Sequence, residues 1–254
     1  MELLAACHVH SKWSYDGSWT LEALSARFGG RGYRVLMMTE HDRGFSAARL
    51  EEYRKACAAA STEKILVVPG IEYSDAANRV HVLVWGPVPF LGEGLTTSEM
   101  LEGVRASNGL AVLAHPSRKD AWKSFEPYWA ERLLGIEVWN RKYDGWAPST
   151  TAGELRDRAK HTIPFVGLDF HTIRQAFPLG MALNLDGDVT EGSVLNCLRS
   201  GGCYPRALGL SLNKSAIRGF YPALRVAEKC RRFAASTVRR SKASVRRRMT
   251  ANHS

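Results

Sequence analysis

Short apolar runs alternate with mixed polar and apolar stretches along most of this chain. Leu3–Val9 is almost wholly apolar and reads as a buried strand. Thr20–Phe28 reads as a helix, with Thr20 placed to cap its start and Gly29-Gly30 to stop it. The alternation continues with strand Arg34–Thr39, helix Phe45–Ala60, and strands Ile65–Ile71 and Val80–Trp85. Helix Ser98–Ser107, strand Leu110–Ala114, helix Ala121–Leu134 and strand Ile136–Trp139 follow. Helix Thr150–Lys160, strand Phe165–Leu168, strand Met181–Leu185 and helix Glu191–Ser200 complete the pattern. Seven or eight strands alternating with helices predict an α/β fold whose parallel sheet closes as a barrel.

Most of the apolar runs end on a side chain able to bind metal. The candidates are His8, His10, Asp16, His41, Glu72, His81, His115, Asp169 and His171. All but Asp16 and His81 fall at or just after the C-terminal ends of predicted strands, the end of a barrel that carries the active site. His8 and His10 are two residues apart, as are Asp169 and His171, so each pair points one way if its strand persists. His81 sits near the start of its strand, so either that strand runs antiparallel or its boundary lies elsewhere. Imidazole and carboxylate ligands suit zinc, manganese and iron, and the lack of thiolates argues against a structural zinc site. A carboxylate bridging two ions about 3.5–4 Å apart lets them share a water, lower its pKa and clamp phosphoryl oxygens. Hydroxide held there would be the nucleophile, with no need for a Ser-His-Asp or Cys-His arrangement.

Composition narrows the setting. The length of 254 residues fits one α/β barrel or two small domains, and 45% hydrophobic with 24% charged residues is ordinary for a globular protein. No apolar run reaches the roughly 18 residues that cross a bilayer. The Met-Glu-Leu-Leu start lacks the basic region and cleavage site of an export signal. Five scattered cysteines without a Cys-x-x-Cys point to reduced thiols in a cytoplasmic protein. The net charge of +10 is unevenly spread: residues 206–254 hold 13 Lys or Arg against Glu228 alone, a local +12 that leaves −2 for the rest. We therefore expect a metallohydrolase body over residues 1–205 and a basic C-terminal extension over 206–254.

The ligand pattern resembles the PHP family, the polymerase and histidinol phosphatase superfamily of metal-dependent phosphoesterases. His8-Val-His10-Ser11 with Asp16-Gly17 is similar to its first motif, Thr39-Glu40-His41-Asp42 to its second, His115-Pro116 to its third and Asp169-Phe170-His171 to its fourth. Glu72 and His81 fall where the family places a bridging carboxylate and a further ligand. The second motif departs from the family in having Glu40 where Asp is commoner. The resemblance covers residues 4–171 and implies a distorted (β/α)7 TIM-like barrel with a trinuclear centre. It implies one ion on His8, His10, Glu72 and Asp169, a second on Glu72, His81 and His115, and a third on Asp16, His41 and His171. The expected cofactors are two or three divalent ions, zinc, manganese or iron, and the expected reaction is hydrolysis of phosphate esters. The alternatives are a nuclease or nucleotide phosphatase, and a non-catalytic module stabilised by metal.

Basic residues follow the ligands. Arg118 and Lys119, Arg141 and Lys142, and Arg174 are placed on loops near the metal rim, with Arg118 and Arg174 the candidates to grip a substrate phosphate. For most such loop bases simple solvation is the plainer reading. Asp42 reads either as a partner of a ligand or as a helix-side acid, and His161, at a charged helix end, as an ordinary core or surface residue rather than a ligand. Trp13, Tyr15, Trp19, Trp85, Trp139 and Trp146 cluster near strand ends, for stacking on a base or sugar or for core and lid packing. In the extension, Ile217, Phe220, Tyr221, Leu224, Val226 and Phe233 approximate a helical stripe with a basic opposite face. That helix would dock on the body or a second subunit, lie on an anionic membrane, or bind nucleic acid. Past residue 235, Arg239-Arg240 and Arg246-Arg247-Arg248 read as a solvated, disordered end.

Overall fold

The computed structural model describes residues 1–212 and 221–234 of the chain. Its strands are β1 (Glu2–Val9), β2 (Val35–Met38), β3 (Glu40–His41), β4 (Leu66–Val68), β5 (Gly70–Ser74), β6 (His81–Trp85), β7 (Leu110–Ala114), β8 (Gly135–Asn140), β9 (Ile163–Gly167), β10 (Leu179–Asn184), β11 (Cys203–Ala207) and β12 (Leu210–Ser211). They form two mixed six-stranded sheets, ordered β12-β11-β10-β1-β2-β4 and β3-β5-β6-β7-β8-β9. Helices α1 (Leu21–Gly29), α2 (Ala47–Ala60), α3 (Thr97–Ala106), α4 (Arg141–Asp144), α5 (Thr150–Arg158) and α6 (Glu191–Arg199) connect or flank them, and α7 spans 221–234.

The division into two sheets has a local cause. The expected strand Ile65–Ile71 is two strands, because Pro69 interrupts it and has no N–H to give to a ladder. Met38 and Glu40 likewise part at Thr39, whose N–H turns to Val9 O at 2.9 Å. β2 and β4 therefore extend the first sheet, while β3 and β5 begin the second. Beyond β9, backbone bonds from Leu168 N to Cys7 O, Phe170 N to His8 O and His10 N to Phe170 O, 2.9–3.0 Å long, join that chain to β1.

The all-parallel expectation fails at β10, which is antiparallel to β1 and β11, and at β6, which is antiparallel to both β5 and β7. This settles the position of His81. Its strand begins where its neighbours end, opposite Ser74 and Ala114, so its first residue lies among their last. The expected helix Ala121–Leu134 is instead two 3-10 turns, Arg118–Ser124 and Pro127–Glu131, with Pro127 unable to donate within a helix.

Trp85, Trp139, Tyr53, Tyr73, Phe165 and Phe170 are the largest side chains of the core. Trp85 and Trp139 thus take the packing role, each with its indole N–H on a carbonyl, Met38 O at 2.8 Å and Gly145 O at 3.0 Å. No helix of the described residues is long and apolar enough to cross a membrane. All five cysteines are free. In α7, Tyr221 and Leu224 pack on the core while Val226 and Phe233 are exposed. Ile217, Phe220, Arg239-Arg240 and Arg246-Arg247-Arg248, with the disorder expected past residue 235, lie outside the described residues.

Candidate metal centre

Glu72, the third residue of β5, is the hub. Its carboxylate is 1% exposed and has five imidazoles around it. Oε1 is 2.7 Å from His81 Nδ1 and 2.9 Å from His115 Nε2. Oε2 is 3.2 Å from His41 Nδ1, 3.3 Å from His10 Nε2 and 3.4 Å from His8 Nε2. These histidines come from β1 and the residue after it, β3, the start of β6 and the residue after β7, so four segments converge on a carboxylate carried by a fifth, β5.

Asp169 forms a second node. Its Oδ1 lies 3.8 Å from His8 Nε2, 3.7 Å from His10 Nε2 and 3.2 Å from His171 Nδ1, and its Oδ2 lies 3.9 Å from His115 Nε2. Asp16, partly exposed on the loop after β1, is 3.4 Å from His41 Nε2 and 3.1 Å from His171 Nε2. All nine residues singled out in the sequence are therefore brought together. Their donor atoms fall into three close groups: His8 with Glu72 and His115, His8 with His10 and Asp169, and His10 with His41 and His171, each within 4.8 Å. His10 stacks on His171 at 4.1 Å and lies 4.5 Å from His41, which places it between two groups.

Three of these residues have left-handed backbones: His8 (φ 59°), His115 (φ 26°) and Asp169 (φ 49°). Each such non-glycine residue costs about 1–3 kcal/mol and persists only where surrounding contacts impose it. At His8 the β1–β2 register slips between Cys7 and Val9. Simple strand alternation therefore does not aim His8 and His10; a bulge re-aims His8 toward Glu72.

The imposing contacts come largely from Glu137 on β8, which is fully buried. Its Oε1 is 2.9 Å from His8 Nδ1, and its Oε2 accepts from His115 N at 2.8 Å and Asn140 Nδ2 at 3.0 Å. One carboxylate so fixes a ring and a backbone turn. Gly167 makes the room, since a Cβ there would sit 1.8 Å from Glu137 Oε1. On the other side, buried Glu40 accepts from Ser11 N, Ser11 Oγ and Ser14 Oγ at 2.5–3.1 Å. Ser14 Oγ in turn accepts from His41 N at 3.0 Å. Glu40 ties the Asp16 loop to β3. Asp42 accepts from Ser74 N at 3.1 Å, and burial pushes its pKa up to about 6.

The electrostatics suit cations. Burial works to raise Glu72, but His8, His81 and the His115 hydrogen bond outweigh it and hold it well below the carboxylate range. Asp169 is held at about 2 against burial by His8, Lys142 and His115. Burial, then His41 and His171, pushes His10 well below the usual imidazole value, which keeps it neutral. Burial also lowers His81, in spite of Glu72. Burial would depress His8, yet Glu137, Asp169 and Glu72 raise it well above normal. The fit to metal rests on unsatisfied atoms: buried His8 Nε2, His10 Nε2 and His115 Nδ1 lack hydrogen-bond partners among the described residues. Two of them point at the same pair of carboxylates. A buried, partnerless imidazole nitrogen costs free energy unless something coordinates it.

A cavity of about 300 Å³ opens over these groups. Arg118 lines it, donating to Tyr143 OH at 3.0 Å and Asn78 Oδ1 at 3.0 Å, with Nη1 3.2 Å from His81 Nε2. Arg174 is exposed and is not among the cavity-lining residues. Tyr15 is 68% exposed at the mouth and stacks on His41 at 5.1 Å. Sequence reasoning missed Glu137, Asn140, Asn78 and Tyr143, and placed Lys142 near the rim without making it a phosphate candidate. Lys142 Nζ lies 3.1 Å from Asp169 Oδ1 and 3.4 Å from both His171 nitrogens. Glu137 had no usable signal, being one acid inside an apolar strand, but Lys142 follows a strand end as the ligands do. His161 is exposed.

An α/β frame with six histidines and three acids brought together defines a candidate polynuclear metal centre, and its fold is similar to that of several solved structures. A two-domain protein containing a predicted PHP-like metal-dependent phosphoesterase, from Bacteroides vulgatus ATCC 8482, matches with a TM-score of 0.62 at 15% identity. The match covers 83% of this chain and 66% of that one, just under two thirds. The lesion-specific endonuclease PfuEndoQ from Pyrococcus furiosus matches at 0.59 and 16% identity, over 82% of this chain and 59% of the other. PsfC from Pseudomonas syringae PB-5123 matches at 0.57 and 15% identity, over 92% and 99%. At these identities the likeness is one of fold. No family model and no curated protein matches the sequence.

Proposed function

We propose that this chain is a metal-dependent phosphoesterase, a hydrolase of phosphoric ester bonds working with two or three divalent ions. The observation that carries the reading is Glu72, a buried carboxylate with nitrogens of five histidines within 3.4 Å. A structural role would need neither so many convergent ligands nor a cavity above them. In this reading His8, His10, Glu72 and Asp169 hold one ion, Glu72, His81 and His115 a second, and Asp16, His41 and His171 a third. Zinc, manganese and iron all suit this oxygen and nitrogen set. Such ions supply Lewis acidity toward phosphoryl oxygens and lower the pKa of water.

The chain's own residues do the rest. Glu137 holds the His8 ring in one orientation, which leaves Nε2 to face the site. Arg118, fixed by Asn78 and Tyr143, presents a guanidinium at the cavity wall to a phosphate. Lys142 balances Asp169 and lies within reach of the same phosphate. Arg174, exposed, would meet only a substrate that extends beyond the cavity. Unpaired thiols fit the cytoplasmic setting we assign. The test is turnover of a generic phosphomonoester after reconstitution with manganese or zinc, alongside Glu72→Ala. Hydrolysis by the wild type and its loss in the variant are expected; equal rates in both would end the proposal.

A further inference from the structure

A second cavity lies beside the metal centre. It measures about 870 Å³ and shares two wall residues, Arg118 and Tyr143, with the metal cavity. Five basic side chains line it: Arg118, Lys119, Arg225, Lys229 and Arg232. Against them stand Asp144 and Glu228, both already engaged. Asp144 is half-buried, accepts from Ser117 Oγ and Asn140 N at 2.7 Å each, and is pushed by desolvation up to about 6.

Glu228, the lone acid of the C-terminal region, anchors rather than neutralises. It is 5% exposed and accepts from Arg231 Nε and Nη2, Arg232 Nε and Trp146 N at 2.6–3.1 Å. It presses on Gly145 (φ 78°), where a Cβ would come within 2.2 Å of Oε1 and no side chain fits. Arg232 Nη2 adds a bond to Tyr143 O at 2.8 Å. α7 is thus fastened to the loop that carries Lys142 and Tyr143 into the metal cavity. Arg225 and Lys229 are left over. Arg225 Nε is buried without a hydrogen-bond partner among the described residues, and no ion pair within them engages Lys229. A fixed concave wall with unspent cations, continuous with a phosphate-handling site, is built to hold a second anion.

We propose that this cavity is a second phosphate subsite, centred on Arg225 and Lys229, which takes a phosphate of the substrate other than the one hydrolysed. The inference rests on the phosphoesterase reading and extends it: the preferred substrate carries at least two phosphates, either along a sugar–phosphate chain or on one compact polyol.

The test uses the full-length, metal-loaded protein and titration calorimetry with two hydrolysis-resistant probes, a phosphorothioate-linked trinucleotide and a polyol polyphosphate with thiophosphate groups. Arg225→Gln/Lys229→Gln should weaken one probe at least about tenfold, roughly the effect of losing one charge-assisted contact. The exposed single variant Lys229→Gln should weaken the same probe about threefold if the double variant folds poorly. Lys55→Gln/Lys64→Gln removes the same charge from surface outside both cavities and should match wild type. Loss on the trinucleotide identifies a sugar–phosphate chain, and loss on the polyol a compact ligand. Wild-type affinity in Arg225→Gln/Lys229→Gln, or an equal loss in the control, overturns the subsite. Failure of the wild type to turn over any phosphoester would count against the phosphoesterase reading instead, since the binding data still judge the cavity.

Discussion

At the scale of single residues, the centre divides into side chains that would touch metal and side chains that aim them. Glu72 belongs to the first kind, because no neighbour can replace a carboxylate placed among five imidazoles. Glu72→Ala should remove activity and most metal, by activity assay and elemental analysis, whereas exposed His161→Ala should match wild type. Glu137 belongs to the second kind. Glu137→Gln keeps the shape but weakens the grip on His8 Nδ1, and such losses typically cost about 10–100-fold in metal affinity or activity. The check is a metal titration of Glu137→Gln; wild-type affinity would mean that the His8 ring needs no partner. The ligands were legible because imidazoles and acids at the ends of apolar runs are conspicuous. Glu137 was not, since its meaning lies in contacts with His8, His115 and Asn140 that no local pattern encodes. The left-handed backbones of His8, His115 and Asp169 were equally hidden, because L-residues adopt them only under tertiary constraint.

At the scale of elements, period announced most strands and helices within a residue or two, and Thr20 was the one cap read from the sequence. Thr20, Thr96, Ser149 and Thr190 all cap helices through their side chains. Direction was less accessible, since an all-apolar strand such as β6 reads the same parallel or antiparallel. The segment after His115 misled because its apolar residues suggest a helix that Pro127 and the left-handed Lys119 and Asp120 prevent. α7 offers the prediction at this scale. Arg231 and Arg232 outweigh the burial of Glu228 and hold its pKa at about 2, below the ordinary 4.5. A lowered carboxyl contributes stability above its unfolded value and loses it as pH falls toward the folded one, here between about 4.5 and 2. At neutral pH the anchor is therefore fully engaged. Glu228→Gln should speed amide exchange across 221–234 by about tenfold at pH 7 and leave β1 and β7 unchanged. Unchanged exchange in α7 would show that Tyr221 and Leu224 hold the helix without it.

For the whole molecule, the centre joins the two sheets. His8, His10 and Asp169 lie at strand ends on either side of the β1–β9 seam, while Glu72, His81 and His115 lie in or at the ends of strands of the second sheet. Ions bound across that seam would bind only the folded chain, so their binding free energy adds to stability. At a metal concentration of 100 times Kd the gain is about 2.7 kcal/mol. A domain of this size gains roughly 2–4 °C per kcal/mol, so Tm should rise by about 5–10 °C over chelator-treated protein. Histidine protonation competes with metal, and His8, whose pKa the surrounding acids raise, must release a proton on binding. The metal-dependent part of Tm should therefore shrink from pH 8 to pH 5.5. The chelator-treated protein supplies the baseline that separates this loss from general acid effects. Glu72→Ala should show little metal-dependent shift at either pH. A shift as large in Glu72→Ala as in wild type would place the stabilising ions elsewhere on the molecule.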